Sequence, residues 1–286
     1  MFHVKHHKSA VSLERRKGGC MQSSEIKRFN EEKDAKTVAI INQKGGVGKS
    51  TTAINLSTTL GESKRKILVV DLDPQGNTTS GFGINKEELE TDIYDVLLND
   101  SPIEENIIQT IEPQVFLVPA TIQLAGAEID LVSLKKREFL LKNKIAAIKD
   151  DFDLVLIDCP PSLGLLTINA FVASDSLIIP IQCEYYALEG VTKLLESMDM
   201  VRQSLNPDLE VLGVLMTMFD KRTTLSNQVV EEVRKYFGQK VFKTVIPRSV
   251  KIAEAPSHGL PITKYSRFNK AALAYTKLAK EVIRRG

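Results

Sequence analysis

Apolar residues along this chain fall into two alternating patterns. Short, mostly apolar runs occupy 37–42, 66–71, 115–118, 154–158, 176–181, 209–216 and 241–246. Between most of them, apolar residues recur every three or four positions, over 51–60, 164–173, 188–205, 225–237 and, closing the chain, about 268–283. A run without a polar face predicts a strand buried on both sides, and the amphipathic stretches predict crossover helices. Their alternation predicts a doubly wound α/β domain, a mainly parallel sheet with helices on both faces. Residues 1–36 show neither period; they are polar and basic and are expected to form a disordered extension to a folded domain spanning 37–286.

Composition narrows the class. A chain of 286 residues, 43% hydrophobic and 26% charged, suffices for one large core. It contains no apolar run long enough to span a bilayer and no secretory leader pattern, so a cytoplasmic protein is expected. Cys20, Cys159 and Cys183 are widely spaced, lack metal or cluster spacing, and read as free thiols. His258 has no second histidine near it in the sequence and reads as a structural loop residue. A net charge of +2 means that any nucleic-acid contact must come from a local patch. Base collects at Lys5, Lys8, Arg15, Arg16 and Lys17, and again at Lys221, Arg222, Arg248, Lys251, Lys264 and Arg267. Such runs are otherwise solvated faces.

The sharpest chemical signal follows the first strand. Gln43 leads into Lys44, Gly45, Gly46, Val47, Gly48, Lys49, Ser50 and Thr51, and then a helix begins. Strand, glycine-rich loop and helix form the setting of a phosphate-binding loop. Glycines let backbone N–H groups wrap a phosphate, the helix N-terminus adds positive potential, Lys49 reaches the β and γ phosphates, and Ser50 ligates Mg²⁺. Two further strands end in acids: Asp71 and Asp73 in a Val-Val-Asp-Leu-Asp-Pro run, and Asp158 before Cys159, Pro160 and Pro161. Ligands of doubly wound sheets bind at that edge.

Lys44 is one lysine more than the ordinary phosphate loop carries, and with it the loop resembles the deviant Walker A family, which includes ParA, MinD and the nitrogenase iron protein. The resemblance implies an ATPase in which two subunits face each other across two ATP molecules, each Lys44 reaching the other subunit's nucleotide. It matches Asp73 to the residue that orients the attacking water and Asp71 to a switch acid, although a strand-end acid also caps turns. Asp158 matches the acid that holds Mg²⁺, usually through water.

Four further stretches, beginning at Thr121, Pro160, Gln182 and Glu254, resemble the chromosomal ParA/Soj group. That resemblance covers roughly 37–286 and implies slow intrinsic hydrolysis, accelerated by a ParB-like partner. It implies an ATP-dependent homodimer that binds double-stranded DNA without sequence preference, and so a cytoplasmic, nucleoid-associated protein. It places Pro247 near the adenine and assigns DNA contacts to Arg222 and Lys251, with Arg248 close enough to share them. Relatives usually carry arginine where Lys251 stands; lysine keeps the charge without the bidentate fork.

Two other readings stay open. A MinD-like membrane-cycling ATPase would need an amphipathic C-terminal lipid anchor, whereas Leu273, Leu278, Val282 and Ile283 suit a helix packed on the sheet, and no stable membrane association is expected. An iron-sulfur ATPase would need a suitably placed cysteine pair, and only Cys159 lies near the switch.

The first residues carry a separate signal. Met1 to His6 can be coded by a stretch containing TGTTTCACGTGAAACA, its own reverse complement and similar to the parS site bound by ParB proteins. Lys17 to Met21 permits a ribosome-binding sequence before a start codon. Residues 1–20 are therefore expected to be translated leader, with Met21 the start; a basic arm touching phosphates is the alternative.

Overall fold

The computed structural model describes residues 35–185 and 187–285; residues 1–34 of the expected extension, with its leader and Cys20, lie outside them, whereas Ala35 is buried and Lys36 already opens the first strand, one residue before the expected start. Eight strands are present in these residues: β1 (Lys36–Ile40), β2 (Ile67–Asp71), β3 (Ile108–Gln109), β4 (Val115–Val118), β5 (Leu154–Asp158), β6 (Ser176–Gln182), β7 (Glu210–Phe219) and β8 (Val241–Pro247). They form one sheet in the order β3-β4-β2-β5-β1-β6-β7-β8. Every neighbouring pair is parallel except β3 with β4.

Eleven α-helices are present in these residues: α1 (Lys49–Glu62), α2 (Asn77–Gly81), α3 (Ile93–Leu98), α4 (Ala127–Asp130), α5 (Leu140–Ala146), α6 (Leu165–Ala173), α7 (Glu189–Ser204), α8 (Thr224–Phe237), α9 (Val250–Glu254), α10 (Ile262–Tyr265) and α11 (Lys270–Arg285); α1, α6, α7, α8 and α11 follow the expected amphipathic stretches. Alternate residues of each strand feed two cores. Val38, Ile40, Ile67, Val69 and Leu156 pack with Leu56 and Leu60 of α1 and Tyr275, Leu278 and Val282 of α11. Ala39, Leu68, Val70, Val155 and Ile157 pack on the other face with side chains of α3 and α5 to α8. This two-sided demand is why the strands lack polar alternation. The doubly wound fold thus matches the expectation.

The small elements depart from the sequence pattern. A two-residue edge strand such as β3 has too few positions to show a period, and α2, α4, α9 and α10 are one turn or little more. β7 runs three residues past the expected 216, which carries Thr217 and Met218 to the edge where the phosphate loop lies.

Candidate functional site

β1 is central, between β5 and β6, and its carboxyl end delivers the glycine-rich loop to the middle of the sheet edge. Gly46 at φ 74° and Gly48 at φ 94° occupy the left-handed region, so the loop geometry depends on residues without Cβ. Asn42 braces the loop entrance, its side-chain amide donating to the Pro180 carbonyl at 2.7 Å and its oxygen accepting the Lys44 N–H at 2.9 Å. Thr217 on β7 donates to the Val47 carbonyl at 2.8 Å.

Gly45, Gly46, Gly48, Lys49, Ser50, Thr51 and Asp73 line one cavity of about 480 Å³ together with Pro161. A second, more apolar cavity of about 410 Å³ shares Gly48 and Thr51 and is lined by Met218, Pro247 and Tyr275. The pair suits a triphosphate beside a flat apolar ring. Val47 is buried and serves through its backbone. Met218, at φ 51°, is a strained non-glycine residue at the junction of the two cavities.

The two lysines of the loop part company. Lys49 is buried, with its ammonium 3.4 Å from the Lys44 carbonyl. Lys44 instead turns away from the cavity and pairs with Glu184 at 3.2 Å, both side chains being nearly half exposed. Gln182 in turn donates to Glu184.

The acids divide equally clearly. Asp73 lies in the cavity wall, with Oδ1 accepting the Gln75 N–H at 2.9 Å. Asp71 faces inward. Its Oδ2 accepts the N–H and hydroxyl of Thr79 at 2.8 and 2.7 Å, and its Oδ1 accepts the Asp73 N–H at 3.2 Å. Those bonds order the turn that presents Asp73, so the turn-capping reading of Asp71 fits its geometry. Asp158 accepts from Thr78 through Oδ2 at 2.7 Å and also from Ser50. Its Oδ1 is buried without a partner among the described residues. A carboxylate oxygen orphaned beside a serine hydroxyl and a phosphate-loop lysine fits a hydrated Mg²⁺, a hard cation that takes oxygen ligands and keeps water.

Burial raises both inner acids. Asp71 is pushed up to about 8, first by desolvation and then by the charge of Asp158, against the bonds from Thr79 and Asp73. Desolvation also raises Asp158, to about 6, against its bonds from Ser50 and Thr78 and the Lys49 charge. A raised carboxyl holds its proton in the fold at a pH where the unfolded chain has released it. Stability therefore falls as pH rises from about 4, by up to about 1.4 kcal/mol per pH unit for each carboxyl, the Asp158 contribution ending near pH 6 and that of Asp71 near pH 8. Thermal melts of the nucleotide-free protein between pH 5 and pH 8 are expected to show that loss, and Asp71→Asn to flatten it.

The residues expected to contact DNA, Arg222, Arg248 and Lys251, follow the ends of β7 and β8, whereas Lys264 pairs with Glu62 and Glu112. Arg222 makes a two-pronged pair with Asp220 at 3.0 and 2.7 Å, which holds the Asp220 carboxyl down at about 2, and Arg248 adds to that effect. Lys251 pairs with Glu254 at 2.8 Å and lies 5.4 Å over the Tyr265 ring. Tyr265 stacks on His258 at 4.9 Å, in keeping with a structural histidine. Cys159 and Cys183 are free, and burial raises both thiols.

Sequence patterns did not single out Thr78, Thr217 or Met218. They also missed the role of Glu128, which accepts the N–H groups of Leu165 and Leu166 at 2.7 and 3.3 Å and so caps α6, where Gly164 offers no side chain. A Cβ on Gly164 would come within 2.3 Å of the Glu128 carboxylate. The glutamate thus fixes the far end of the 159–164 loop, whose Pro161 lines the phosphate cavity.

Residues 35–211 match the family model described as AAA domain. The chain is 54% identical over 251 residues to the sporulation initiation inhibitor protein Soj of Bacillus subtilis, covering 88% of this chain and 99% of that protein. It is 50% identical over 248 residues to the chromosome partitioning protein ParA of Myxococcus xanthus, covering 87% and 88%. Among solved structures, it resembles cobyrinic acid a,c-diamide synthase from Mycobacterium smegmatis with bound ADP and magnesium. The TM-score is 0.78 and the identity 39%, over 87% of this chain and 94% of that one.

Proposed function

We propose, on the premise that this chain belongs to the Soj/ParA family of chromosome-partitioning ATPases, that ATP closes two copies into a sandwich dimer that binds DNA without sequence preference. A ParB-like protein then accelerates hydrolysis and releases the dimer, which would make the protein nucleoid-associated while ATP-bound. The observation that carries this reading is the position of Lys44. Its ammonium stands outside the cavity that Lys49 serves, on an exposed carboxylate it can exchange for a phosphate.

In the proposed cycle the loop N–H groups and Lys49 hold the β and γ phosphates, and Pro247 abuts the adenine. Ser50 and Asp158 are the residues that would hold Mg²⁺, which when bound supplies positive charge against those phosphates. Asp73 orients the attacking water, and the partner's Lys44 neutralises charge developing on the transferred phosphoryl group. Arg222, Arg248 and Lys251 contact DNA phosphates, exchanging their present acid partners for the polyanion. A MinD-like anchor finds less support, because α11 turns its apolar face to the sheet through Tyr275, Leu278 and Val282. No helix among the described residues is long and apolar enough to cross a membrane.

Gly45→Val tests the dimer. A Cβ at Gly45 has no atom within 4 Å, so the single subunit accommodates the larger residue. The variant is therefore expected to bind ATP as the parent does yet remain monomeric in size-exclusion chromatography with ATP, and not to retard a DNA duplex. An ATP-dependent dimer of ordinary stability in the variant would contradict the sandwich.

A further inference from the structure

A groove between α11 and β8 carries charge that the nucleotide cycle leaves unused. It encloses about 650 Å³ and is lined by Lys243, Lys270, Lys277, Lys280 and Arg284, with Glu281 the one acid in its wall. Positions 270, 277, 280 and 284 fall on one stripe of the helix, while Tyr275, Leu278 and Val282 pack on the sheet. Glu281 is engaged elsewhere. Its carboxylate accepts the N–H groups of Lys243 and Thr244 at 2.8 and 2.9 Å and the Thr244 hydroxyl at 2.5 Å. Among the described residues, Lys243, Lys270, Lys277 and Lys280 make no ion pair.

Helix electrostatics account for only part of this row. Cations in the last turn, such as Arg284, are favoured by the negative end of the helix dipole. Lys270 is the first residue of α11, where a cation is opposed by that dipole and no acid stands in the first turn. Lys277, Lys280 and Arg284 also repel one another at helical spacings of three and four. A polyanion lying in the groove would relieve both costs.

The row also continues the DNA contacts argued above. Pro247 lines this groove and the apolar cavity that Arg248 lines. Ser249 Oγ lies 3.3 Å from Asn269 Oδ1, which joins the Arg248 and Lys251 segment to the start of α11. We propose that the groove is a second track for the phosphates of double-stranded DNA, along which Lys270, Lys277, Lys280 and Arg284 extend the contact begun at Arg248 and Lys251. From Lys270 to Arg284 the helix rises about 21 Å, about six phosphate steps along one strand. Lysine ammonium groups act as point charges, which suits binding that ignores sequence.

The inference rests on the reading that the ATP-bound dimer binds DNA, so the experiment separates the two. Full-length protein with Mg²⁺ and a non-hydrolysable ATP analogue is titrated with a mixed-sequence duplex across a salt series. Lys277→Glu with Lys280→Glu is expected to weaken binding about tenfold or more, and to reduce the slope of log affinity against log salt by about 2 for each subunit of the dimer that lies on the duplex. Lys135→Glu with Lys142→Glu, exposed lysines with the same change in net charge, is expected to keep the slope of the parent. Should the double glutamate variant fail to fold, Lys277→Gln with Lys280→Gln is expected to reduce the slope by the same amount.

Parental affinity and slope in the groove variants would overturn the track, as would an equal loss in the Lys135 and Lys142 control. Arg222→Glu is expected to weaken binding as well. If it has no effect, or the parent binds no duplex, the DNA reading itself falls and the track with it. Retention of the parent on phosphatidylserine vesicles without any duplex binding would place a membrane in the groove instead.

Discussion

Replacing Lys49 with alanine is expected to abolish ATP binding at concentrations that saturate the parent. Lys49 is buried in the wall of the phosphate cavity, in a loop whose Gly46 and Gly48 are held in the left-handed region, and its ammonium lies near the Lys44 carbonyl. Losing one partner of a desolvated charge contact costs about 2–5 kcal/mol, or about 30-fold to several thousandfold in affinity. The loss has a second route, because Lys49 also opposes the desolvation of Asp158. Without it Asp158 holds its proton more tightly and serves a cation less well. Titration calorimetry with ATP and Mg²⁺ measures the change, and unaltered affinity would refute the assignment of the loop.

Asp73→Ala is expected to do the reverse, keeping ATP and trapping the dimer on DNA. The carboxylate lies in the cavity wall, where the turn ordered by Asp71 and Thr79 presents it. It is not part of the glycine loop, so affinity for ATP is expected to change only several-fold. Positioned acid or base groups contribute about 10²–10⁴ to rate, and the fall in phosphate release is expected in that range. Size-exclusion chromatography should then show dimer persisting after ATP is added. Phosphate release within tenfold of the parent would assign the attacking water to another residue.

What the sequence made legible follows from where its patterns are strong. The long strands could be read because burial on both faces removes polar alternation, and the phosphate loop because its glycines, its two lysines and its strand-to-helix setting coincide. Thr78, Thr217 and Met218 could not, because they reach the site through chain topology: Thr217 and Met218 arrive at the end of β7, far along the chain from the loop they touch. Glu128 sits in a stretch that the sequence flagged, yet its capping of α6 depends on a contact 37 residues away. The basic residues could be listed but not their present partners. Glu254 stands three residues from Lys251 on one helix, but only the fold brings the Tyr265 ring to it.

β8 ends the sheet, and such an edge invites another strand to add to it. Glu281 occupies two of its N–H groups, and the lysine row would have to be buried by any chain that paired there. Both features oppose the joining of two copies sheet to sheet along β8. A concentrated solution of the protein is therefore expected to resist strand addition at this edge.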